Sequence, residues 1–377
     1  MPFITVPQSP IYHQISLDEI ISGEVDLATI VTPNYTNTRT TYKQWIPYKF
    51  MRNFDFPSII AELEEFNQRY SALFDVERST LYRKFFIPKK SGGLREINAP
   101  NVELMTALRE LKMLLEGKML ASYHTTAFAY VKGRCTVDAV KRHQQNESKW
   151  FVKLDFSNFF GSTTEAFVYN MFSDIFPFCQ ITVSERGANA LKKALSLCFL
   201  NGGLPQGTPI SPFLTNVMMI PIDHQISNDL RREDAHYIYT RYADDMLISS
   251  RVDFDPHSIE LYVLGVLDKY RAPFSLNTSK TRYGSSAGRN WNLGVMLNKD
   301  NQITIGYKNK RQFKAMCTSY INDNKNDNPW EKHDVQVFAG LLSYYRMIEK
   351  EYFDHIIEQY NQKFLFDIEA RIKQDLR

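Results

Sequence analysis

The stretch from Tyr237 to Ser250 constrains the fold most. Tyr237 to Tyr242 reads as a strand, Ala243-Asp244-Asp245 as a tight acidic turn, and Met246 to Ser250 as a second strand. Two such runs around a short turn pair antiparallel and carry adjacent carboxylates at the tip. Like charges held that close repel, and each resists leaving water, so the pattern calls for a neutralising cation. A further apolar strand, Trp150 to Phe156, contains Asp155 at its end and can supply a third carboxylate. Oxygen donors converging at strand ends suit Mg²⁺, which keeps positions open for phosphates and water. Two such ions about 3.5–4 Å apart can stabilise both the attacking and the leaving oxygen of an in-line phosphoryl displacement. An isolated Asp-Asp is more often a plain surface turn. The flanking apolar strands and Asp155 reverse that weighting.

Around this centre the chain reads as an α+β protein. Helical periodicity covers Ser58 to Phe74, Asn101 to Met119, Glu185 to Leu200 and Ser211 to Ile226, with Ser211 expected as the N-cap of the last. Leu81 to Ile87 and Leu94 to Ile97 flank a glycine turn and predict a hairpin. Beyond Gly306 the pattern is helical and charged, as in Val335 to Met347 and Tyr352 to Asp367, while Asn322 to Asn328 reads as a polar loop. The expected division is a mostly helical extension over 1–80, then units over 81–150, 151–305 and 306–377. Helices around 185–230 interleave with the first two of these units.

Charge alone decides little, because 45 Lys and Arg nearly balance 42 Asp and Glu, for a net +3. The four cysteines form no C-x-x-C pair, which argues against a zinc knuckle or a disulfide framework and favours a reducing compartment. No run of 18 apolar residues and no signal-peptide pattern is read, so the expectation is a cytoplasmic protein without a membrane partner. His124 and His143 have no partner at metal spacing and are expected to be structural or to contact RNA.

Six ordered motifs between about Leu81 and Tyr345 resemble the bacterial reverse transcriptases, the lineage of group II intron, retron and defence-associated enzymes. IPKKSGGLREI resembles the fingers motif, VKLDFSNFF the first palm aspartate motif and GLPQGTPISPFLTN the Gln-Gly motif. RYADDMLISS resembles the catalytic hairpin and LNTSKT the lysine-bearing palm motif, while NWNLGVMLN lies where the primer grip falls. The resemblance implies a right-hand polymerase with fingers over 81–150, palm over 151–305 and an α-helical thumb over 306–377. It implies an RNA-directed DNA polymerase acting on dNTPs, with a structured non-coding RNA as template, an RNA–DNA hybrid as product and two Mg²⁺ ions, for which Mn²⁺ can substitute.

By that resemblance Asp155, Asp244 and Asp245 hold the metals. Phe156 is counted with the metal positions, although its ring, like that of Phe159, reads as core. Phe160, five residues after Asp155, falls at the steric-gate position, where a ring excludes a ribose 2′-OH. Gln206, with Gly207 beside it, lies in a turn that can approach the nascent base pair, or is a plain loop between helices. Arg95 with Lys89 or Lys90 would hold the triphosphate, since Arg grips phosphate bidentately and Lys acts as a point charge. Lys280 would protonate the pyrophosphate leaving group, with a simple surface lysine as the alternative. Lys308, Lys310, Arg311 and Lys314 would meet hybrid phosphates, or form a solvated helix face.

Departures from the family pattern narrow the branch. Retron enzymes carry Asn-Ala-x-x-His after the fingers, whereas this chain reads Asp138-Ala139-Val140-Lys141-Arg142-His143. They also carry Val-Thr-Gly near the primer grip, where this chain has Trp291-Asn292-Leu293-Gly294. The expectation is therefore a defence-associated enzyme that copies a partner RNA against phage, with a separate effector protein as a further partner. A retron enzyme is the runner-up, and untemplated DNA synthesis or an RNA-binding scaffold stays open, as does the oligomeric state.

Overall fold

The computed structural model describes residues 54–88, 92–119, 123–233, 236–286 and 295–377. Lys89, Lys90, residues 290–294 of the expected primer grip and most of the 1–80 extension lie outside the described residues. A four-stranded antiparallel sheet forms the centre, in the order β4-β5-β3-β6. Its strands are β3 (Trp150–Asp155), β4 (Ile238–Tyr242), β5 (Asp245–Ser250) and β6 (Arg282–Ser285). Alternation divides the sheet into two faces. Val152 and Leu154 of β3, with Met246 and Ile248 of β5, enter the main hydrophobic cluster. Phe151 and Leu247 point the other way, into a smaller cluster with Val140, Val295 and Leu297. Both faces are covered, which is why these strands read as nearly continuous apolar runs.

Helices Phe56–Arg69, Val102–Lys112, Glu165–Asp174, Glu185–Ser196, Ser211–Met218, Ile220–Arg232 and Pro256–Lys269 pack on the main-cluster side. The helix expected over Ser211 to Ile226 is two helices. Pro221 lacks an N–H and its ring crowds the preceding turn, so the chain restarts at Ile220. Ser211 is the first helical residue and not the N-cap, a position held by Ile210. Its hydroxyl instead bonds Thr208 Oγ1 at 2.6 Å and the Pro205 carbonyl at 3.0 Å. The helical run from Asn101 is regular to Lys112 and continues as a π-helical segment over Met113–Met119.

Two strands, β1 (Tyr82–Pro88) and β2 (Leu94–Pro100), form the expected hairpin. The C-terminal helices Gly306–Lys325, Lys332–Ile348, Lys350–Phe364 and Ile368–Asp375 bury their own cluster around Phe313, Tyr320, Phe338 and Phe353. The polar loop expected from Asn322 begins later, because the first of these helices runs on to Lys325. Asn324 Nδ2 donates to the Tyr320 carbonyl at 2.8 Å within the helix. The four cysteines are free.

Candidate active site

The register of the sheet brings the acids together. Asp155 lies directly opposite Asp245 across β3 and β5, and Tyr242 pairs with Asp245 across β4 and β5. Only Ala243 and Asp244 are left to turn the chain, and Ala243 takes a left-handed φ of 58° to do so. Directly opposed side chains share a face, so Asp155 and Asp245 emerge together at the end of the sheet with Asp244 beside them.

Two lysines answer this charge. Lys280 Nζ lies 2.8 Å from Asp155 Oδ1, and Lys153 Nζ lies 2.8 Å from Asp245 Oδ1. Lys280 is delivered by a short 3₁₀ turn, Thr278–Lys280, docked where Asn277 N–H donates to the Asp155 carbonyl at 2.8 Å. Asp155 is 4% exposed, so its carboxylate meets little water. Burial first, then the neighbouring Asp155 carboxylate, raise Asp244 above the usual carboxylate range, against the pull of both lysines. Burial likewise pushes Asp245 up to about 6, with Lys153 opposing and Asp244 and Asp155 adding to the rise.

This donor set fits a divalent cation. Asp245 Oδ1 is buried, and the approach of Lys153 leaves it without an aligned hydrogen bond. An under-satisfied carboxylate oxygen beside two more carboxylates is what a hard cation with oxygen ligands requires. Among the described residues no three acids or imidazoles already stand as a closed ligand set, consistent with lysines occupying the carboxylates. The ring of Phe156 is 1% exposed and stacks on Phe159 at 5.1 Å, so any part it has in a metal site falls to its backbone carbonyl.

Beneath the acidic turn lies a network that the sequence reading passed over. Arg241 and Asp223 are an ion pair with both side chains fully buried. Arg241 donates through Nε and Nη2 to the Asp223 carboxylate at 2.9 and 2.7 Å, and through Nη1 to the Ala243 carbonyl at 3.1 Å. Nη2 also reaches Asn216 Oδ1 at 3.2 Å, and Asn216 Nδ2 donates to the Ala129 carbonyl at 2.8 Å. Tyr239 O–H donates to Asp223 at 2.8 Å. One guanidinium thus ties the acidic turn to the loop that follows Thr126. The hint in the sequence was an arginine inside an apolar strand, since such a charge needs a buried partner. Lys153 could also have been found, because strand alternation puts it on the face of Asp155 two residues on.

Several of the residues expected around a nucleotide are joined to one another by backbone bonds. Phe160 is half-buried, its ring edge-on to Phe159 at 5.7 Å and to Tyr130 at 6.5 Å. Its carbonyl accepts from Leu204 N–H at 2.9 Å, which fixes the Gln206 turn beside it. Gly203 is obligatory in this contact, since a Cβ there would meet the Gly161 carbonyl oxygen at 2.1 Å. Asn98 N–H of β2 donates to the Gln206 carbonyl at 2.8 Å. Gly207, at φ 118°, approaches that strand so closely that a Cβ would lie 2.9 Å from Asn98 O. The hairpin, the Gln206 turn and the Phe160 segment are therefore bonded in series. Arg95 is exposed on β2 with no ion-pair partner among the described residues.

The basic stretch divides. Lys308 and Arg311 are exposed on the first C-terminal helix. The Lys310 ammonium is engaged by Glu349 at 2.5 Å and lies over the Tyr352 ring at 4.0 Å. Lys314 also lies against Tyr352, at 5.6 Å. The two histidines are structural. His143 is wholly buried between Ser249 Oγ at 2.6 Å and Thr240 Oγ1 at 2.8 Å, and burial pushes it down to about 3. His124 bonds Thr126 Oγ1 at 2.7 Å, and burial pushes it down to about 4.

A family model for reverse transcriptase, the RNA-dependent DNA polymerase, matches residues 87–313. Among curated relatives, the Retron Ec83 reverse transcriptase of Escherichia coli is 26% identical over 316 residues, covering 79% of this chain and 93% of that protein. The Retron Ec73 reverse transcriptase of the same species is 24% identical over 287 residues, covering 74% of this chain and 87% of that protein. Among solved structures, a Candida albicans telomerase in complex with a fragment of telomeric RNA superposes with a TM-score of 0.43 at 13% identity, covering 83% of this chain and 62% of that one.

Proposed function

Because the chain belongs to the reverse transcriptase family and is an RNA-directed DNA polymerase, we propose that it copies a structured non-coding RNA into cDNA at the Asp155, Asp244 and Asp245 centre. The carrying observation is the register, which sets Asp155 opposite Asp245 with Asp244 on the two-residue turn between β4 and β5. We place the fingers over 81–150, the palm over 151–305 and the thumb over 306–377. The separate hydrophobic cluster of the C-terminal helices supports the last boundary.

Enzymes of this family use divalent metal ions. The three aspartates would hold them here, as Mg²⁺ or its substitute Mn²⁺, and the bound ions would neutralise charge on the attacking and leaving oxygens. The rest of the chemistry falls to the chain. A primer 3′-hydroxyl attacks the α-phosphate of a dNTP, a new P–O bond forms, and the bond to pyrophosphate breaks. Arg95 meets the triphosphate, and Phe160 meets the sugar at its 2′ carbon. Gln206, fixed through Leu204 and Asn98, lines the nascent base pair. Lys280, within reach of the acid cluster, gives a proton to the departing pyrophosphate. Lys308 and Arg311 follow the phosphates of the hybrid.

The biological setting we favour is bacterial, cytoplasmic and antiviral, with a separate effector protein. No helix among the described residues is long and apolar enough to cross a membrane. A retron enzyme is the second reading. It is favoured by relatives whose names are retron reverse transcriptases and of which this chain spans 93% and 87%. The test is extension by the purified protein with its co-purifying RNA, Mg²⁺ and dNTPs, followed by sequencing of RNA and product. Asp244→Asn with Asp245→Asn should abolish synthesis and leave RNA binding intact. Continued synthesis by that double variant sinks the metal assignment, and a product whose sequence ignores the RNA sinks templated copying.

A further inference from the structure

Tyr130 stands in a conformation that stability does not explain. Its backbone is left-handed at φ 60°, a region that costs a bulky L-residue strain. Its ring is 56% exposed and so contributes little to the core. The surrounding loop is nonetheless held firmly. Phe128 N–H donates to the Arg241 carbonyl at 2.9 Å, and Arg241 N–H donates to the Thr126 carbonyl at 2.8 Å. Asn216 holds the Ala129 carbonyl at 2.8 Å, and Arg134 Nη1 holds the carbonyls of His124 and Ala127 at 2.6 and 2.7 Å. A strained residue imposed by so many bonds is a signature of function.

The ring has a definite neighbour. It meets Phe160 edge-on, with centroids 6.5 Å apart and planes at 79°. Burial, then Asp244, then Tyr242 raise its hydroxyl above the usual tyrosine range, and Arg95 lowers it. Tyr130 therefore packs on the ring expected to read the sugar and lies within electrostatic reach of Asp244 and Arg95.

We infer that Tyr130 is a positioning residue for sugar selection, whose ring braces Phe160 from the side and stops it from swinging away from a ribonucleotide's 2′-hydroxyl. The inference rests on the polymerase reading and on Phe160 as the gate. Without the brace, Phe160 keeps its place on Phe159 but gains freedom on its open side. A ring with that freedom can yield to an added hydroxyl, so discrimination falls while the carboxylates are untouched.

The experiment measures kcat and KM for one dNTP and for the matching ribonucleotide in wild type, Tyr130→Phe, Tyr130→Gly and Phe160→Ala, with a thermal midpoint for each. Tyr130→Phe keeps the ring and should keep the wild-type ratio. Tyr130→Gly removes the ring and the backbone strain together, so it should melt no earlier than wild type. It should nevertheless lose about tenfold or more of the deoxy-over-ribo ratio, the scale on which pocket contacts discriminate. The loss should appear as improved ribonucleotide kcat/KM, with dNTP kcat nearly unchanged. An unchanged ratio in Tyr130→Gly, when Phe160→Ala loses its own, overturns the brace and leaves the gate standing. An unchanged ratio in Phe160→Ala overturns the gate and the brace with it. Early melting of Tyr130→Gly also overturns the inference, because the ring would then be a structural group.

Discussion

Arg241 offers the sharpest perturbation of the acidic turn that leaves the carboxylates in place. Its guanidinium and the Asp223 carboxylate are both 0% exposed. Arg241→Met removes three services at once, the ion pair to Asp223, the bond to Ala243 O at 3.1 Å and the bond to Asn216 at 3.2 Å. Breaking a buried pair from one side strands a charge and costs about 3–5 kcal/mol. At about 2–4 °C per kcal/mol for a cooperative unit of 150–250 residues, the midpoint should fall by roughly 10 °C. Asp223→Leu strands the opposite charge and should cost a similar amount.

The double variant Arg241→Met with Asp223→Leu separates stability from function. Replacing both members of a buried pair by apolar groups is often nearly neutral, so much of the lost stability should return. Tyr239 O–H loses its acceptor, so recovery should be incomplete. Ala243 O stays unheld in every variant that lacks the arginine. A misplacement of about 1 Å at a reacting centre can cost about a hundredfold in rate. Denaturant unfolding gives the coupling energy, and single-nucleotide extension at saturating dNTP gives the rate. The expected pattern is a double variant that is folded and slow. A folded double variant with wild-type rate would show that Arg241 supports the fold and does not position the turn. A coupling energy near zero would refute the pair itself.

Other perturbations should separate neighbouring roles. His143 is kept neutral by burial, with its pKa pushed from 6.5 to about 3, so below 6.5 the unfolded chain binds the extra proton. Its contribution is complete above that value and is lost as pH falls towards 3; from the difference, about 1.4 kcal/mol should be gone by pH 5.5. Denaturant midpoints at pH 7.5 and 5.5 should show a smaller drop in His143→Gln, and an equal drop would refute the assignment. Gly207→Ala should lower the midpoint and raise the dNTP KM, because the added Cβ lies 2.9 Å from backbone oxygen Asn98 O at a φ of 118°; an unaltered KM would free the turn from any substrate role. Lys308→Gln with Arg311→Gln should weaken RNA binding and reduce the slope of log affinity against log salt by about 1.5, from about 0.7–0.9 per contact. Lys310→Gln should instead act on thermal stability through Glu349, and a loss of salt slope in that variant would reverse the division drawn between them.

The fold centre was legible because its signals are local. Apolar runs bounded by turn residues gave β3, β4 and β5, and the short acidic turn fixed their antiparallel pairing. The register of Asp155 on Asp245 was not written in any one strand, yet an aspartate at the end of β3 made convergence the economical reading. Errors fell where tertiary or backbone terms override periodicity. Ser211 has N-cap chemistry, but Thr208 and the Pro205 carbonyl engage its hydroxyl. Asn322 to Lys325 has loop composition, but the helix runs on beside Trp330, whose indole N–H donates to Asp323 at 2.9 Å. Lys310 shares a basic run with Lys308 and Arg311, and only the fold reveals its pairing with Glu349, 39 residues on. Tyr130 gave no signal in the sequence, because its meaning lies in a φ of 60° and in a ring 30 residues away.

Two lysines with different freedom stand against the carboxylates. Three buried or half-buried acids at one sheet end repel, and Lys280 and Lys153 offset that repulsion. Their environments differ. The Lys280 side chain is 56% exposed while Asp155 is buried, so the lysine end of this pair is the one free to move. It can leave Asp155 for a phosphate where another cation takes over the buried carboxylate. Lys153 is 24% exposed and anchored in the middle of β3, with its neighbours in register against β5. Its backbone is fixed in the strand, so its ammonium has less room to leave Asp245 than Lys280 has to leave Asp155. Both lysines would compete with a divalent ion for these carboxylates, Lys280 with the greater freedom to leave. Lys153→Met should then raise the affinity for Mg²⁺, measured by calorimetry, while lowering the stability of the metal-free protein. Weaker Mg²⁺ binding in that variant would mean that Lys153 orders the carboxylate for the ion and does not compete with it.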